Sequence, residues 1–104
     1  MKIVVGSDHA GFGVKNDIVT HLKKAGHDVE DIGTHSTESV DYPDFGWAVA
    51  RTVAEGGAER GILVCGTGIG VSMTANKMPG IRAALCHDEY TARLSRQHND
   101  ANVL

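Results

Sequence analysis

The sequence predicts an α/β protein: a mostly parallel five-stranded sheet sandwiched between two layers of helices. Three observations carry that expectation. Short β-branched runs alternate with stretches whose apolar residues recur at helical spacing, along the whole of the 104 residues. The 13 glycines gather at the joints between these segments instead of scattering. The apolar runs are brief and continuous, as strands covered on both faces are.

Ile3-Val4-Val5 is the first strand, ended by Gly6-Ser7. Val14, Ile18, Leu22 and Ala25 then recur at helical spacing, and Gly26 stops the helix. His27 to Ile32 alternates weakly as a second strand and ends at Gly33. A polar loop, Thr34 to Tyr42, leads to Pro43-Asp44, where proline fits a first helical turn and the acid favours the positive end of the dipole. Phe45, Ala48, Val49, Thr52 and Val53 form that helix's buried stripe, closed by Gly56-Gly57. Gly61-Ile62-Leu63-Val64-Cys65 is the clearest strand. After the turn Gly66-Thr67-Gly68-Ile69-Gly70, a short helix runs from Val71 to Lys77 and stops at Pro79-Gly80. Ile81 to Leu85 is a fourth strand, Asp88 to Gln97 a helix, and Ala101-Asn102-Val103-Leu104 begins a fifth strand. Residues 1–104 thus form a single Rossmann-like domain whose C-terminal part is expected to be missing, because the chain stops inside that strand.

Composition narrows the function. At 41% hydrophobic residues the chain builds one core, and 22% charged residues with 2 prolines exclude a disordered chain. A net charge of −3 offers no basic surface to nucleic acid or membrane. Two cysteines do not make a disulfide scaffold and fit a reducing compartment. No stretch approaches the roughly 20 apolar residues of a membrane span, and the N-terminus meets charge at Lys2 and Asp8 too soon for a signal peptide. A soluble cytoplasmic domain is expected.

In doubly wound sheets, ligands bind beyond the carboxyl ends of the strands. That rule selects Ser7-Asp8-His9-Ala10-Gly11, Cys65 to Gly70, and His98-Asn99-Asp100. Glycines at Gly66, Gly68 and Gly70 let backbone N–H groups approach a ligand oxygen, beside a helix N-terminus that favours negative charge. Three alternate glycines exceed what a tight turn needs. The spacing is not that of dinucleotide folds, and no P-loop is present. Cys65 stands where strand, loop and helix start meet, a setting that favours the thiolate. Cys86 lacks a glycine loop and is expected to be apolar filler. Asp8 and His9 can hold sugar hydroxyls or a phosphate, with Asp8 as a cap the plainer alternative. His98 is a possible acid or base and Asn99 a donor to an oxyanion, or the pair is a polar helix cap. No Cys/His spacing suggests a metal.

Together, Gly6-Ser7-Asp8-His9-Ala10-Gly11, Asp41-Tyr42-Pro43-Asp44, Cys65-Gly66-Thr67-Gly68-Ile69-Gly70 and His98-Asn99-Asp100-Ala101-Asn102 resemble the ribose-5-phosphate isomerase B family, over essentially the whole chain. That family also includes galactose-6-phosphate and allose-6-phosphate isomerases. The resemblance implies interconversion of ribose 5-phosphate and ribulose 5-phosphate, a step of the pentose phosphate pathway, through a cis-enediolate without metal or organic cofactor. It implies Cys65 as the base moving a proton between C1 and C2, and His98 as the acid–base group that opens the furanose. It implies Gly66, Thr67, Gly68, Ile69 and Gly70 as the oxyanion loop, with Thr67 assisting. Asp8 and His9 resemble sugar and phosphate contacts, Asn99 a hydroxyl contact, and Tyr42 a pocket residue. One branch of the family replaces the cysteine by a glutamate on the helix after the loop; here that helix offers Ala75 and no acid. The resemblance further implies a homodimer or homotetramer with shared active sites. It also leaves the phosphate-binding arginines outside these residues, since members usually run longer. Other readings are an isomerase of a six-carbon sugar phosphate, a non-catalytic binding subunit of the same fold, and a nucleotide-binding regulatory domain, which the glycine spacing does not support.

Overall fold

The computed structural model describes residues 1–104. Its regular elements are β1 (Lys2–Ser7), α1 (Phe12–Lys24), β2 (Asp28–Asp31), α2 (Tyr42–Ala54), β3 (Arg60–Val64), α3 (Ile69–Ala75) and α4 (Glu89–Gln97). The three strands pair in parallel in the order β2-β1-β3. Val103 extends the sheet beyond β3 through a parallel bridge to Gly61, and Ala83 joins outside it through a parallel bridge to Val103. Five chain segments therefore lie side by side, of which three are regular strands.

Asparagine side chains explain why the last two segments stay irregular. Asn102 Oδ1 accepts the Arg82 N–H at 2.9 Å, and its Nδ2 donates to the Gly80 carbonyl at 2.9 Å. Asn76 takes the other edge: its Nδ2 donates to the Ala83 carbonyl at 2.9 Å and its Oδ1 accepts the Ala83 N–H at 2.7 Å. Side-chain amides thus satisfy backbone groups that a regular ladder would have paired, and Asn76 closes the outer edge to further strands.

The strands separate two cores. Val4 and Leu63 face α2 and α3, packing with Val49, Ala50, Val71 and Ala75. Ile3 and Val5 face α1 and pack with Val19. A space bounded by Ile3, Ile62, Ala92 and Ser95 puts α4 on the α1 side. Asp88 begins α4 as its N-cap, with its carboxylate accepting the Thr91 N–H at 2.7 Å.

Two predicted stripes shift. On α1, Val14 is 55% exposed while Lys15 and Val19 are buried, with Ile18 and Leu22 beside them. The inward face begins at a lysine, so apolar periodicity alone places it one residue early. On α2, Gly46, Val49 and Ala50 are buried, whereas Phe45, Ala48, Thr52 and Val53 are only half-buried. A Cβ at Gly46 would lie 3.2 Å from Thr74, so α2 turns its glycine and alanine toward the close crossing with α3.

Candidate active site

The carboxyl ends of β1 and β3 lie side by side, with Ser7 paired to Val64. The Asp8 N–H donates to the Val64 carbonyl at 3.2 Å, which joins the first loop directly to the strand that delivers Cys65. Asp8 is buried, and its Oδ1 accepts the Gly11 N–H at 3.0 Å. The capping role weighed for Asp8 is therefore real, and one oxygen remains free of it. His9 is half-buried, and its Nδ1 lies 3.1 Å from the Val40 N–H. A backbone N–H can only donate, so Nδ1 accepts and the neutral ring carries its proton on Nε2. That leaves Nε2 as a donor suited to an anionic oxygen.

Beside this lies the glycine loop. Gly68 has φ of 78°, the left-handed region, and its N–H donates to Cys65 Sγ at 3.1 Å. The Ile69 N–H is taken by Thr67 Oγ1 at 3.1 Å. The N–H groups of Gly66, Thr67 and Gly70 make no hydrogen bond within the chain. They are the donors available to a ligand oxygen, and they outweigh the dipole of α3, which has only 7 residues. A Cβ on Gly70 would lie 2.5 Å from the Tyr42 ring, so Tyr42 rests on this loop from the start of α2. A Cβ on Gly68 would lie 2.6 Å from Leu85 Cδ1.

Beneath the loop is a cavity of about 260 Å³, bounded by Cys65, Gly66, Thr67, Gly68, Leu85 and Cys86 among others. Its walls are mostly aliphatic, so polar ligand groups match the loop amides and the Asp8–His9 loop better than the cavity floor. Cys86 lines this mostly apolar cavity together with Cys65, a position that an apolar filler can occupy. Both thiols are free.

His98 and Asn99 do not join this group. The selection of His98-Asn99-Asp100 by the strand-end rule is corrected by topology: this segment precedes the Val103 strand position and so lies at the amino end of the sheet. Asn102 accepts the N–H of Gly61, near the start of β3. Cys65 follows the other end of that strand, and 5 residues of parallel strand span about 16 Å. His98 is the exposed C-cap of α4. The left-handed residue of the segment is Asp100, at φ of 50°, and not Asn99. Asp100 accepts from Arg96 at 2.9 Å, and the Asn99 carbonyl accepts from Arg82 Nε at 2.7 Å.

One feature beside the first loop escapes the sequence reading. Lys15, 1% exposed, donates to both carboxylate oxygens of Asp31, at 2.9 and 2.8 Å. Burial raises the Asp31 carboxyl, but the Lys15 hydrogen bond, the Gly33 N–H and the charges of Lys15 and His35 together hold it below the usual carboxylate range. Asp88 is likewise lowered, chiefly by the Thr91 N–H and hydroxyl. Nothing gathers three metal-ligating side chains together.

A match to the family described as Ribose/Galactose Isomerase spans residues 3–104. The chain belongs to that family. It is 54% identical over 103 residues to ribose-5-phosphate isomerase B of Escherichia coli, covering 99% of this chain and 69% of that one. The ribose-5-phosphate isomerase B structure from Clostridium thermocellum is 60% identical, with a TM-score of 0.99 over 100% of this chain and 70% of that one. The Mycoplasma genitalium ribose-5-phosphate isomerase B, solved with bound ribulose 5-phosphate, is 47% identical with a TM-score of 0.95 over 99% of this chain and 69% of that one. The family's three-layer α/β architecture is the one predicted from strand and helix alternation. No helix is long and apolar enough to cross a membrane.

Proposed function

We propose that this family member is an aldose–ketose isomerase that interconverts ribose 5-phosphate and ribulose 5-phosphate, with Cys65 as the base. The observation that carries the reading is Cys65 Sγ at the foot of a loop whose Gly66, Thr67 and Gly70 N–H groups are unspent. Isomerisation needs a base at the carbon and donors at the oxygen, and here one turn of chain supplies both. The Cys65 thiolate takes the proton from C2 of the open-chain aldose. The electron pair moves into the C1–C2 bond and the carbonyl electrons onto O1, where the loop amides stabilise the charge. The thiol returns its proton to C1 while O1 is protonated and the O2 hydroxyl loses its proton, leaving the carbonyl at C2. A positioned base is worth about 10²–10⁴-fold and an oxyanion donor about 10²–10³-fold. Thr67 shapes the loop through its bond to the Ile69 N–H, and Ile69 leads the chain into α3. Asp8, hydrogen-bonded to Val64, and Tyr42, beside Gly70, flank this loop, and His9 is next to Asp8 in the chain.

His98 and Asn99 fit this chemistry only if they come from a second copy, since their own Cys65 lies across the sheet. A homodimer or homotetramer whose sites are shared between subunits meets that need. Ile69 and Met73, one turn apart on α3, are 46% and 64% exposed, an apolar face that a neighbouring copy would cover. Given by the partner, His98 would remove the anomeric hydroxyl proton and deliver it to the ring oxygen.

Turnover of ribose 5-phosphate, measured beside allose 6-phosphate and galactose 6-phosphate, tests the reading. Preference for the pentose phosphate is expected. Turnover of a hexose phosphate alone would replace it, and binding without turnover would reduce the chain to a non-catalytic subunit.

A further inference from the structure

The Lys15–Asp31 pair stands outside the catalytic steps, yet its hydrogen bonds close a ring around the first loop. The Lys15 ammonium binds Asp31 at 2.8 and 2.9 Å. Asp31 Oδ1 also accepts the Gly33 N–H at 2.9 Å. The Gly33 carbonyl accepts the Ser7 N–H at 2.7 Å, and the Ser7 carbonyl accepts the Thr34 N–H at 2.8 Å. Asp8 follows Ser7 and accepts from Gly11 at 3.0 Å. The Gly11 carbonyl accepts the Lys15 N–H at 2.8 Å, which returns the ring to its start. Lys15 enters this ring through both its backbone N–H and its ammonium, and so joins the start of α1 to β2. Its ammonium also lies 5.4 Å from the centre of the Phe12 ring, on the first turn of the same helix.

A buried ion pair seldom adds net stability over an apolar pair of the same volume, so its contribution here is better sought in geometry. The segment that leaves Asp31 is the one that fixes His9: Val40, seven residues beyond Gly33, donates to His9 Nδ1 at 3.1 Å. Both ends of the 33–40 loop are thus tied to the Ser7–Gly11 loop, one through Lys15 and Asp31 and the other through His9. We infer that Lys15 is a positioning residue: through Asp31 and Gly33 it sets the Ser7–Gly11 loop and the 33–40 loop against each other, and thereby holds Asp8 and the His9 imidazole in the orientation that receives the sugar phosphate. This rests on the isomerase reading for its substrate but not for its geometry.

The experiment compares the parent chain with Lys15→Met/Asp31→Asn, which removes both charges while keeping an oxygen for the Gly33 N–H. Asp31→Asn alone serves as the conservative variant. Two readouts are taken on each: KM and kcat for ribose 5-phosphate, and the ring nitrogen shifts of His9 by NMR without substrate. For the double variant, a tenfold or greater rise in KM with kcat within threefold of the parent is expected. His9 is expected to lose its single Nε2–H form and show averaged nitrogen shifts. Asp31→Asn should fall between the two. A folded double variant with the parent's KM and the parent's His9 shifts would overturn the proposal, as would unfolding of both variants, which would make the pair purely structural. The His9 shifts need no turnover, so a parent that fails to isomerise ribose 5-phosphate would sink the functional reading while leaving this one to be decided by NMR.

Discussion

At Cys65, the position was legible from sequence, because a strand end, a glycine loop and a helix start follow one another along the chain. What sequence could not supply was the neighbour. Cys86 is 21 positions away and lines the same cavity, where Leu85 lies against Gly68. The two thiols still differ: Cys65 Sγ accepts an N–H at 3.1 Å, and Cys86 has no such donor. Cys65→Ala is expected to lower isomerase activity by at least about 10²-fold, the low end for a lost general base, with little change in the thermal midpoint. Cys86→Ala is expected to keep most activity. C2-proton exchange on ribose 5-phosphate is the measurement, and near-parental exchange in Cys65→Ala would move the base elsewhere, with Asp8 next to test. Lys15 illustrates the opposite limit of legibility. A lysine on a helix is normally a solvated charge, and nothing local to it announces an aspartate 16 positions away.

Among the elements, the regular strands were the easiest to read, since continuous β-branched runs have little alternative to a covered sheet. The fourth and fifth segments were legible as extended chain but not as irregular, because that depends on Asn76 and Asn102 reaching across to Gly80, Arg82 and Ala83. The junction of β2 with α1 carries a pH dependence. The Asp31 carboxyl is held below its ordinary value near 3.8 in the fold and regains that value on unfolding. The stabilisation is therefore complete above that pH and disappears as pH falls through the folded value. Thermal melts between about pH 2 and 5 should show a steeper loss for the parent than for Asp31→Asn, which has no carboxylate to protonate; parallel curves would contradict this. Removing one partner alone is harsher: Lys15→Met leaves the partly buried Asp31 carboxylate with the Gly33 N–H as its remaining donor, expected to cost about 1–3 kcal/mol in urea unfolding at neutral pH. At the glycine loop, Gly70→Ala drives a methyl to within 2.5 Å of the Tyr42 ring. A cost of about 1–3 kcal/mol is expected, and Tyr42→Ala in the same chain should recover most of it, whereas simple additivity of the two changes would show that the ring is not what the methyl meets.

For the whole molecule, the decisive fact is that β3 separates Cys65 from His98 along the strand axis. Sequence order hid this, because a motif between a helix and a strand looks the same whichever end of the sheet it occupies; only the direction of the Val103 strand position, parallel to β3, places it at the amino end. If each active site joins Cys65 of one copy to His98 of another, then Cys65→Ala and His98→Asn are defects in different halves of a site. Each variant alone spoils every site it builds. In a two-fold dimer formed from one of each, one site collects both defects and the other collects neither. Unfolding and refolding an equal mixture gives mixed dimers in about half of the population, each with one intact site of two, so about a quarter of the parent activity should return. The recovered activity should rise with the extent of subunit exchange, and mixing without unfolding should restore little. Refolded mixtures that stay at the sum of the separate variants, despite mixed dimers demonstrated by mass, would mean that the two residues serve the same copy or that His98 takes no part. The first outcome would demand a large rearrangement of α4, because the fold as it stands gives His98 no path around the sheet to its own Cys65.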